Sequence, residues 1–96
     1  MAPYSFADLQ AAFPETIHGL PVSFTTHEFI LALAASHQQE YVSALYAYRS
    51  GNPFETVHQQ LGRLLKESGL VEQMGVVTSA NIFGRASRCA KWMKAQ

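Results

Sequence analysis

Long apolar runs are missing from this chain. The longest, Phe29 to Ala35, has seven residues, against the roughly 20 that a membrane-crossing helix needs, so no membrane partner is expected. The start shows no basic stretch leading into an apolar one, the mark of a secretory signal. Cysteine occurs once, at Cys89, which excludes an intramolecular disulfide and any site built from several thiolates. A reducing, cytoplasmic setting fits. Paired carboxylates, a nucleophile elbow and a phosphate-cradling glycine loop are also missing. The four histidines, His18, His27, His37 and His58, are scattered without the close pairing that zinc ligands use. No enzymatic activity, metal or cofactor is therefore expected.

Positive charge is missing from the first half. Residues 1 to 48 hold Asp8, Glu15, Glu28 and Glu40 with no lysine or arginine, a net charge of −4. Residues 49 to 96 hold all seven basic residues against Glu55, Glu67 and Glu72, a net charge of +4. Such segregation points to an acidic or polyanionic partner for the basic half, while a total of zero argues against strong, indiscriminate DNA affinity.

What is present suits one small domain, since 96 residues that are 48% hydrophobic can bury one modest core. Residues 1–24 read as a helix and loop, and 25–96 as the core. Ser5 and Asp8 predict a short helix from Phe6 to Ala12, with Phe6, Leu9 and Phe13 inward, stopped before Pro14. "PETIHGLPVS" reads as loop. Thr25 and Glu28 have capping-box spacing, and from Phe29 the apolar positions Leu33, Tyr41, Leu45 and Tyr48, with Ile30, Ala34 and Val42 beside them, keep close to a helical period. "SHQQE", residues 36 to 40, is either a polar patch on one continuous helix, the reading favoured here, or a bend between two.

After "RSGNP", Asn52 as N-cap, Pro53 at the first helical position and Glu55 at the third predict a sharply started helix. Its inward face is Phe54, Val57, Leu61, Leu64 and Leu65, and Gly69 ends it. "VVTSANIF", between Gly75 and Gly84, reads as a strand. The last residues alternate as a return strand would, although Ala86, Cys89, Ala90 and Met93 also fit a helix face; a hairpin is favoured.

That order, with "TVHQQLGRLLKESGLVEQMG", resembles the second half of a winged helix-turn-helix domain over residues 40–96. The resemblance is carried by Val57, Leu61, Leu64, Gly69, Leu70 and Val71. It implies an α+β, mostly α fold: a winged-helix-like three-helix core with a C-terminal β-hairpin. It also implies a recognition helix over residues 53–68 that enters duplex DNA and a wing that touches phosphates. Matched position by position, Thr56, Gln59, Gln60, Arg63 and Lys66 are the helix's reading side, and Arg85, Arg88 and Lys91 belong to the wing. Glutamine pairs bidentately with adenine and arginine with guanine. One such domain contacts few base pairs, so a homodimer is implied for specificity. The expected function is a small bacterial or phage-type DNA-binding or transcription-regulatory module.

Each feature also has a plainer reading. The polar flank can be an ordinary solvated face and the C-terminal cations a solubilising tail. Many winged helices contact proteins, and Glu55 and Glu67 beside the reading side suit a protein-interaction or adaptor module. His37 and Glu40 share a helix face as a weak ligand pair. His58 reads as a core histidine donating to a backbone carbonyl and Cys89 as a buried structural thiol. Tyr41 and Tyr48 belong inward, Tyr46 outward, and Trp92 anchors the wing over the helices.

Overall fold

Thr25 and Glu28 form the capping box their spacing predicts. The Glu28 N–H donates to Thr25 Oγ1 at 3.1 Å and the Thr25 N–H to Glu28 Oε1 at 2.8 Å. The computed structural model describes residues 5 to 95. In chain order its elements are α1 (Ala7–Ala11), α2 (Phe13–His18), β1 (Ser23–Thr25), α3 (Thr26–Ser36), α4 (Gln38–Ala47), α5 (Pro53–Glu67), β2 (Val71–Ala80) and β3 (Ala86–Lys94). The fold is α+β and mostly helical, with a C-terminal hairpin as expected. The antiparallel sheet has the order β1-β3-β2.

Four boundaries differ from the sequence reading. The stretch taken as loop holds all of α2 after Phe13 and the first residue of β1. Pro14 lies in the first turn of α2, where a missing N–H costs no helical bond, and β1 gains its order from pairing with β3, a partner far along the chain. The expected continuous helix is broken at His37, whose φ of −131° and ψ of 58° are not helical. Its N–H closes α3 on the Leu33 carbonyl and its own carbonyl receives the Tyr41 N–H. One residue thus ends one helix and starts the next, and the turn leaves Val42 on the outside. Pro53 and the Thr56 N–H to Asn52 carbonyl bond start α5 as expected, but the Asn52 side chain makes no cap bond. Asn52 has φ −107° and ψ 83°, away from the extended conformation in which Thr25, at φ −96° and ψ 162°, aims its hydroxyl at the helix. Finally, β2 starts at Val71, five residues before "VVTSANIF", and ends at Ala80, with residues 81–85 forming the turn. A register shift between Gln73 and Gly75, where Gly75 has φ +144°, accommodates Met74 as an extra residue opposite β3.

The core draws on almost every element. Leu9, Phe29, Leu33, Val57, Leu61 and Leu65 are fully buried, and Phe13 meets the Phe29 ring edge to face at 4.9 Å. Trp92 on β3 is 3% exposed and donates its indole N–H to Thr26 Oγ1 at 2.8 Å. It fastens the sheet to the first turn of α3. Tyr41 is buried and Tyr46 exposed. Phe54 departs from the expected inward face: it is 41% exposed because it projects from the first turn of α5, beyond the end of the core.

Candidate nucleic-acid interface

Thr56, Gln59, Gln60, Arg63 and Lys66 recur at helical steps on α5, on the arc opposite Val57, Leu61 and Leu65. Gln59, Arg63 and Lys66 are exposed, whereas Thr56 and Gln60 are half-buried. The arc is knitted to itself. Arg63 donates through Nη2 to Gln60 Oε1 at 2.6 Å and through Nη1 to Glu67 at 3.0 Å, and Gln59 Nε2 donates to Glu55 Oε1 at 3.4 Å. Arg63 is therefore paired with Glu67, and its guanidinium fork is turned along its own helix.

The hairpin cations are placed differently. Arg85 lies in the turn, whose shape is set by Asn81: its Oδ1 accepts the Phe83 N–H at 2.9 Å and the Arg85 N–H at 3.1 Å, and Gly84 adopts φ +79°. Arg88 stands opposite Thr78, while Lys91 stands opposite Gly75 on one side and Thr25 on the other. Three residues apart on one strand, Arg88 and Lys91 project from opposite sides of the sheet. Lys94 bonds the His18 carbonyl at 3.4 Å. Predicted side chains thus fall into three groups: the self-paired α5 arc, Arg85 with Arg88 at the far end of the hairpin, and Lys91 nearer the sheet centre.

The hairpin turn and the start of α5 do come together. Phe83 meets Phe54 edge to face at 4.9 Å, and Phe54 meets the His58 ring at 5.9 Å. Behind them runs a cleft of about 660 Å³ walled by the first turn of α3, the first half of α5 and the hairpin, which brings Gln59 and Arg88 to one opening. Sequence reasoning missed Phe54, Phe83 and Asn81 as a group, because the contact joins residues far apart in the chain and no local period records it.

Two histidines fix this geometry. His27 spans the hairpin, with Nδ1 2.9 Å from Ser79 Oγ and Nε2 3.3 Å from Ser87 Oγ. His58 does not donate to a backbone carbonyl as expected; its Nε2 lies 2.6 Å from the Tyr41 hydroxyl. Burial, with a smaller contribution from nearby His27, holds the His58 imidazolium below its ordinary range, and burial pushes the Tyr41 hydroxyl up to about 12. Both are neutral at pH 7, so their bond joins two uncharged groups. His37 Nε2 meets Glu15 at 2.7 Å, tying the break between α3 and α4 to α2. Cys89 is half-buried rather than buried, with Sγ 3.5 Å from Ser79 Oγ.

Among the described residues no three histidine, cysteine, aspartate or glutamate side chains gather as a metal site, and no helix is long and apolar enough to cross a membrane. Compared with known proteins, the chain matches no family model, no curated protein and no solved structure.

Proposed function

We propose that this protein is a small, non-enzymatic nucleic-acid-binding module of winged-helix type, in which the C-terminal hairpin supplies the contacts to a duplex backbone. The observation that carries this reading is the charge of the hairpin. From Val71 to Ala95 the hairpin holds Arg85, Arg88, Lys91 and Lys94 against one carboxylate, Glu72, which lies at the end away from the turn, and Arg85 and Arg88 are exposed at its far end. A cationic projection beside a helix is suited to phosphate contact, which gives affinity and register without sequence information. The reading side of α5 is a weaker partner, because Glu67 takes the Arg63 guanidinium and Glu55 stands beside Gln59 on the same arc. Transcription regulation by base reading therefore has less support than backbone binding.

Fluorescence anisotropy with a labelled duplex at low salt tests the proposal. Replacing Arg85 and Arg88 together by alanine should weaken binding about tenfold or more, given the steep electrostatic share of such affinities. Wild-type protein that leaves the duplex free would sink it. The alternative, a protein-interaction module, is favoured by a separate observation: Leu31, Val42, Tyr46, Met74 and Val76 are each more than half exposed. Under that reading the double substitution leaves partner binding intact and duplex affinity is absent throughout.

A further inference from the structure

The cleft behind Phe54 and Phe83 is walled by aromatic rings and carboxamides, with the imidazoles of His27 and His58, the Glu55 carboxylate and Arg88 also on its lining. Phe83 is 57% exposed, and with the partly exposed Phe54 it offers aromatic surface that the core does not claim. Around these rings stand carboxamides with half their capacity already spent. Asn81 uses Oδ1 on two backbone N–H groups, which leaves its amide as a donor; Gln59 gives its amide to Glu55, which leaves its oxygen as an acceptor. Arg88 lines the hairpin side. A volume of about 660 Å³ lies within the range that holds small organic ligands. A purely hydrocarbon occupant would strip water from the carboxamides without replacing it.

We infer that this cleft takes one unpaired nucleobase, packed against Phe83 and Phe54, with Gln59 and Asn81 at its edge and its phosphate beside Arg88. The inference rests on the nucleic-acid reading above and adds a substrate class to it. A base that is stacked and paired has both faces and its pairing edge covered, so it enters only from a single strand or a locally opened one. Stacking on aromatic rings tolerates any base, and the carboxamides then add a modest preference among them.

The test is an anisotropy titration of the full chain at low salt with a labelled single strand of roughly ten nucleotides and with the fully paired duplex of the same sequence. The strand should bind more tightly than the duplex. Phe83→Ala and, separately, Phe54→Leu should each weaken the strand about tenfold while leaving duplex affinity and the melting temperature in place. Preference for the duplex, or strand binding unchanged in both variants, overturns the cleft as a base site and leaves the hairpin's phosphate contacts standing. Failure to bind either polymer removes both proposals.

Discussion

His58 and Tyr41 show how much burial reshapes two side chains. The periodicity of α5 placed His58 beside the leucines, and burial there was legible. Its partner was not, because Tyr41 lies 17 residues away on another helix and nothing local encodes the pairing. The consequence is that stability depends on pH at both ends of the scale. The unfolded His58 takes up a proton near its ordinary 6.5, whereas the folded one resists until a lower pH. The unfolded state therefore binds more protons in that window, and stability falls as pH drops below about 6.5. Tyr41 acts at the other end: the unfolded hydroxyl ionises near 10 and the folded one near 12, so stability also falls as pH rises through that interval. Urea unfolding across pH should show both losses. His58→Gln should flatten the acid limb and Tyr41→Phe the alkaline one; an unaltered profile in both variants would contradict the burial of these two groups as neutral species.

At the scale of elements, signals that act between near neighbours were the readable ones. The Thr25–Glu28 cap, the start at Pro53 and the stop at Gly69 with φ +76° all lie where the sequence put them. Each is decided by residues within a turn of one another. What escaped reading depends on distant partners: β1 exists because β3 pairs with it, and the break at His37 is held by Glu15 across from α2. The two caps make a paired prediction. Thr25→Ala removes a bonded cap and should cost about 1 kcal/mol, whereas Asn52→Ala removes a side chain that bonds no helix amide and should fall within about 0.5 kcal/mol of wild type. Thermal or urea denaturation of the two variants decides it. Equal losses would mean that Asn52 caps α5 in solution after all.

Across the whole molecule, the charge asymmetry seen in the sequence survives folding but does not become one continuous cationic face. The cations of the second half divide among Arg49 over the Tyr46 ring, Arg63 and Lys66 on α5, Arg85 and Arg88 at the hairpin end, and Lys91 and Lys94 further along β3, with Glu55, Glu67 and Glu72 bringing the total to +4. Helical periodicity identified which side chains of α5 face outward. It carried no information on whether Arg63 would be free, since Glu67 sits one turn further along and takes its guanidinium. The candidate surface was therefore legible as a list of residues and illegible as an electrostatic shape. Proposed binding then depends chiefly on the hairpin, and its ionic character is the property to measure. Duplex affinity should be followed against salt concentration for wild-type protein and for the Arg85→Ala, Arg88→Ala double variant. Each phosphate contact contributes about −0.9 to the slope of log affinity against log salt, so the variant should be shallower by about 1.8. Coincident slopes would contradict phosphate contact by the hairpin.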